Sequence, residues 1–146
     1  MQVKRMLFAA AVALVCLGAN AQTQVPGLWE HSFKIGADRI GARSIKVCVT
    51  PEEAAKPLEA RMNAGNCTQK DIQRSGNTVK FKYECTKPPS TGEGEMTVIS
   101  DKAYRGKTLV TSQRSGKTSQ MTMEMEGKWL AAECGEVKPR TPRPAN

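Results

Sequence analysis

The residue types and spacing best suited to chemistry are three methionines. Met121, Met123 and Met125 stand at i, i+2 and i+4, which places them on one face of a strand. Thioethers are soft ligands that suit cuprous copper. Met96 offers a fourth sulfur. His31, the chain's one histidine, lies close to Trp29 and would complete a copper site with it. A simpler reading uses the same spacing. Thr122, Glu124 and Glu126 fill the alternate positions as a solvent face would, so the methionines form the core side of a sheet. Methionine is also adaptable in shape. On the inside of a curled sheet, Met96, Met121 and Met123 would line an apolar cavity with Phe81 and Tyr83. The core-and-cavity reading is preferred here. Copper held by Met121, Met123, Met125 and His31 is the alternative, and no cofactor is expected.

Catalytic signatures are missing. The sequence has no Gly-x-Ser-x-Gly, no phosphate-binding glycine loop and no His-Glu-x-x-His. Glu93, Glu95, Asp101, Glu124 and Glu126 fall on strands or turns, but nothing fixes the separation a carboxylate pair needs. A non-enzymatic domain is therefore expected. The formal charge of +8 invites nucleic acid. Yet the cations are scattered over Lys80, Lys82, Lys102, Arg105 and Lys107, with Lys80 and Lys82 opposite the apolar positions of their strand. That is a solvated sheet face. Weak attraction to anionic surfaces is expected, without nucleic-acid binding. The partner is not identified by the sequence; a small apolar ligand or a periplasmic protein is the expectation.

The elements that position these residues begin with an export signal. Lys4 and Arg5 precede an apolar run from Met6 to Gly18, and Ala19-Asn20-Ala21 is a small-x-small cleavage site. The run is too short to span a bilayer as a permanent helix. Cleavage after Ala21 would leave the mature chain in the periplasm or outside the cell. It removes Lys4 and Arg5 and no acid, which takes the charge from +8 to +6, and it removes Cys16.

Cys48, Cys67, Cys85 and Cys134 remain, an even set that reads as two disulfides in an oxidising compartment. Four cysteines allow three connectivities. Arg74-Ser75-Gly76-Asn77 marks a hairpin turn. Symmetry about Gly76 sets Cys67 opposite Cys85, at a distance that suits a disulfide. Cys48 is then left for Cys134. This register sends Ile72 to the wrong face, which a bulge near the turn would repair.

The 146 residues are 39% hydrophobic and 5% aromatic, enough for one domain and unlike collagen, coiled coil or disorder. Strands are read over Leu28 to Ile35 and Ser44 to Thr50. Thr50-Pro51-Glu52-Glu53 is a capping box that starts a short helix toward Met62, broken or kinked at Pro57. From Cys67 onward the chain reads as β. Thr78 to Cys85 alternates cleanly, and Lys87 to Gly92 is read as a loop. Four more strands follow, at Glu95 to Ser100, Tyr104 to Gln113, Thr118 to Glu126 and Lys128 to Cys134. Glu126-Gly127-Lys128 is read as the turn between the last two. The expectation is a mainly β fold: an antiparallel meander of about seven strands curled into a barrel or half-barrel, with one short helix near residues 51–62. The domain would span 22–136 after a signal at 1–21. A disordered, basic, proline-rich tail would occupy 137–146.

The mature sequence resembles an exported family of Gram-negative bacteria, domain of unknown function 3617. The resemblance rests on Pro26-Gly27-Leu28-Trp29-Glu30, Cys48-Val49-Thr50-Pro51-Glu52-Glu53 and Asn66-Cys67 with Cys85 around Gly76. It continues through Gly94-Glu95-Met96-Thr97, Met121-Thr122-Met123 and Gly127-Lys128-Trp129 with Cys134. It implies a periplasmic or secreted β-rich domain with paired cysteines, and it implies no activity.

Overall fold

The computed structural model describes residues 24–36, 42–62 and 66–140. The expected signal at 1–21 and residues 141–146 of the expected tail lie outside them. Seven strands form: β1 (Gly27–Ile35), β2 (Arg43–Val49), β3 (Cys67–Ser75), β4 (Thr78–Thr86), β5 (Pro89–Ser100), β6 (Ala103–Arg114) and β7 (Lys117–Ala131). They make one antiparallel sheet in the order β2-β1-β7-β6-β5-β4-β3. The sheet is not closed, as in a half-barrel. Val47 on the edge strand β2 and Phe81 on β4 belong to one buried cluster, so the sheet curls to bring them together.

The connection from β2 to β3 crosses between the two free edges. It begins as helix α1 (Pro51–Ala54), where Thr50 and Glu53 exchange both capping-box bonds. Beyond Pro57 it continues as a 3-10 turn (Glu59–Met62). Ala54 and Leu58 are buried against the sheet. Glu59 pairs with Arg74 of β3, and its carbonyl accepts from Gln69 Nε2 at 2.8 Å. Arg61 donates to Gln24 Oε1, just before β1. The segment is thus a lid fastened to both sides of the trough.

Both disulfides form as the hairpin argument expects, Cys67 with Cys85 and Cys48 with Cys134. The expected bulge is present. Cys67↔Cys85 to Lys70↔Lys82 holds one register, and Gln73↔Lys80 to Ser75↔Thr78 holds another. Asp71, at φ 51°, and Ile72 absorb the shift.

Two expectations fail. Only Lys87 and Pro88 separate β4 from β5, because Pro89 already pairs with Thr86. Gly127 is no turn: β7 runs unbroken through it, with Gly127 opposite Tyr104 of β6 and His31 of β1. A Cβ at Gly127 would lie 2.0 Å from the Tyr104 ring. The glycine makes room for an aromatic side chain and does not bend the backbone. Of residues 137–140, assigned to the tail from sequence, Pro139 bridges Cys48 on the free edge of β2.

Candidate functional site

Alternation gives the sheet two unlike faces. The outer face carries rows of alternating charge. One row crosses five strands as Lys34, Glu124, Lys107, Glu95 and Lys80, each register partner opposite in sign to the next. Lys107 and Glu124 approach to 3.8 Å. A cleft of about 440 Å³ lies on this face, lined by Asp71, Lys80, Lys82, Glu93, Glu95 and Lys107 among others. Its three acids match its three lysines, so it holds little net attraction for a charged ligand. Exposed pairs of this kind contribute at most about 1 kcal/mol each. The lysines Lys80 and Lys82 fall where the sequence placed them, answered across the strands by Glu95 and Glu93.

The inner face is apolar and has two ends. At the covered end, Trp29 is fully buried, and Val47, Val49, Tyr104, Met96, Phe81 and Met125 pack with the lid residues Ala54 and Leu58. Burying Trp29 costs no polar group, since its Nε1 donates to Val25 O at 2.9 Å. Tyr104 lies 6.1 Å from Trp29 and 5.8 Å from His31 between ring centroids. Burial pushes the Tyr104 hydroxyl up to about 12. Burial, with Arg140 and Arg61 nearby, holds His31 down at about 4. The imidazole is therefore neutral at pH 7.

Among the described residues, the other end is more exposed. Met121 is 44% exposed and Ile35 40%. Met123 sits between Ile35 and Thr108, and Met121 is opposite Val110. Tyr83 crosses Gly92 on β5, and a Cβ at Gly92 would lie 2.2 Å from its ring. Tyr83, Phe33 and Met123 pack partly against the main cluster and form the shoulder between the ends.

The sequence-named residues therefore divide. Phe81 and Met96 are filled core, at 3% and 2% exposure. Met121, Met123 and Tyr83 remain accessible at the bare end. Met125 packs beside Met96 around Gly106, where each would lie about 3 Å from an added Cβ. Met121 and Met125 are roughly 13 Å apart along the strand, one at the mouth and one in the core. The three sulfurs do not converge with His31, which lies across Gly127 from Tyr104. Sequence reasoning missed Ile35 and Val110 as lining, and Arg61 and Arg140 beside His31. The first two were visible as alternating apolar positions. The last two depend on how the lid and tail pack.

Residues 24–134 match the family described as Protein of unknown function (DUF3617), and the chain belongs to that family. It is also similar to the "Uncharacterized protein in lpd-3 5'region" of Pseudomonas putida, 34% identical over 64 residues. That match covers 43% of this chain and 44% of the relative, so less than half of either length is aligned. No solved structure matches.

Proposed function

We propose that this family member is an exported, non-enzymatic binding domain that receives a small apolar ligand at the bare end of its inner face. One observation carries the reading. Among the described residues, Ile35, Val110, Met121, Met123 and Tyr83 are neighbours on one apolar surface that the lid does not bury. Methionine, flexible and polarizable, suits a site that must fit varied apolar shapes. The signal-like residues 1–21 and the two disulfides support a periplasmic or secreted location. The non-enzymatic part is supported by four cysteines held in disulfides and a single, neutral histidine.

The test is a fluorescence titration with N-phenyl-1-naphthylamine, an apolar probe that brightens out of water. The disulfide-intact protein is expected to bind it saturably. Met121→Glu and Val110→Glu should each weaken binding at least ten-fold while leaving the thermal midpoint nearly unchanged. Equal binding by the wild type and both variants would sink the proposal.

A further inference from the structure

The covered end also gathers buried polar groups, and they carry an argument drawn from different observations than the apolar surface. From the buried nitrogen atoms gathered there, we infer that Gln24, His31, Arg61 and Arg140 form a binding site for a carboxylate or phosphate group.

Three elements and the chain entry converge on this point. His31 projects from β1 onto the inner face, across Gly127 from Tyr104. Arg61 comes from the 3-10 turn of the lid, and Gln24 from the segment before β1. Arg140 follows Pro139, which docks on the free edge of β2. Arg61 and Arg140 both act electrostatically on His31 and on Tyr104, and Arg61 also donates to Gln24, so the groups share one neighbourhood.

The hydrogen-bond inventory then points to a ligand. Gln24 Nε2, His31 Nε2 and Arg61 Nε are buried and have no protein hydrogen-bond partner among the described residues. Gln24 is 5% exposed, and its Oε1 is already taken by Arg61. A buried donor without an acceptor costs about 1–3 kcal/mol. Gln24 Nε2 and Arg61 Nε can only donate, and a neutral imidazole can donate through Nε2. What they want is an acceptor. The guanidinium groups of Arg61 and Arg140 favour a negative one, and the planar fork of arginine matches carboxylate and phosphate oxygens. Glu53 also acts on Arg61, but its carboxylate accepts the Thr50 N–H and caps α1. Glu59 is turned to Arg74 on the far side of the trough. Neither carboxylate satisfies the three nitrogens.

The ligand group has two sources, a free small anion or the head of an amphiphile whose tail follows the apolar face. The chain's one histidine makes the test specific, because its ring signals cannot be confused with another. The disulfide-intact protein is titrated with inorganic phosphate, acetate and decanoate at pH 7, and the His31 ring is followed by NMR. A saturable shift is expected with at least one of the three. Arg61→Gln and Arg140→Gln should each weaken it at least ten-fold. Arg140 is exposed and outside the core, so its variant carries the test even where Arg61→Gln fails to fold. Decanoate binding more than ten-fold tighter than acetate assigns an amphiphile head. Equal affinities, or phosphate alone, assign a free anion. The absence of a saturable shift with all three probes, or shifts of equal affinity in Arg140→Gln, overturns the site.

Discussion

The two ends of the inner face are built by the same strands and much the same residues, yet one is core and the other is surface. Met125 at the covered end and Met121 at the bare end sit on one strand, four residues apart, at 8% and 44% exposure. Two tyrosines, each crossing a glycine on the neighbouring strand, divide the same way. Tyr104 over Gly127 is 5% exposed, and Tyr83 over Gly92 is half-buried. The difference does not come from the sheet. It comes from what lies over it: among the described residues, the lid packs Ala54 and Leu58 onto one end. A periodic apolar face supplies burial wherever a second layer meets it and a binding surface wherever none does. The division of this face into core and surface is thus set by the length and anchoring of the lid.

The largest losses should come from the disulfides, one at each end. Cys48–Cys134 closes a separation of 86 residues at the covered end, and Cys67–Cys85 one of 18 beside the bare end. In the loop-entropy model the long bridge contributes about 4.5 kcal/mol and the short one about 3. Replacing each pair by alanine and measuring urea unfolding should reproduce that order. A larger loss from the Cys67 and Cys85 pair would mean that the bare end, not the covered one, holds the fold together.

The glycines sharpen the comparison next. Gly127→Ala pushes a Cβ to 2.0 Å from a ring wedged near Trp29 and His31. Gly92→Ala makes a contact nearly as close, 2.2 Å, with a ring that borders solvent. Overpacking costs follow from how far the neighbour can yield. Gly127→Ala should lose about 3 kcal/mol and Gly92→Ala about 1 kcal/mol. Similar losses at both would show that Tyr83 is as confined as Tyr104, and that the bare end is closed.

The sheet was largely legible in the sequence because alternation and turn chemistry are local. The 67–85 disulfide followed from hairpin symmetry, and the bulge from the misfit of Ile72. Gly127 was misread because a glycine flanked by charged residues looks the same whether it turns the chain or admits a ring. Only the residue opposite, Tyr104, decides, and that residue is 23 positions away. Pro88 and Pro89 were read as a loop because proline usually ends pairing, whereas here Pro89 is the first residue of its strand. The apolar candidates were found as a set, but not their division into core and surface. That division depends on the lid, whose reach is not written in the strands. The cluster around His31 was invisible for the same reason. Its arginines come from the lid and from the segment after Cys134.

His31 gives the covered end a pH signature on the acid side. In the folded protein its imidazole is held at about 4, against 6.5 for an ordinary histidine. Between those values the unfolded chain binds a proton that the folded chain does not. Stability therefore falls as pH falls through this window, and His31 has no such effect above it. The loss between pH 6.5 and pH 5 should be about 2 kcal/mol. In His31→Gln that slope should flatten, as measured by urea unfolding at the two pH values against wild type. An unchanged slope would assign the acid sensitivity to carboxylates instead.

The smallest expected effect on stability is the one that best separates the two ends. Met121→Ala removes a thioether at the bare end, where water already reaches the side chain. Little apolar area returns to solvent and no cavity forms, so stability should change by less than about 0.5 kcal/mol. If the bare end is a binding surface, the same substitution should still weaken N-phenyl-1-naphthylamine several-fold, because the ligand rather than the fold buries that side chain. A stability loss of several kcal/mol would make Met121 core in solution and extend the covered end across the whole trough. A neutral variant with unchanged probe binding would leave Met121 exposed but outside the site, and would shift the surface toward Tyr83 and Ile35. If the bare end binds the probe, substitutions at the covered end should be read mainly in stability and those at the bare end mainly in binding.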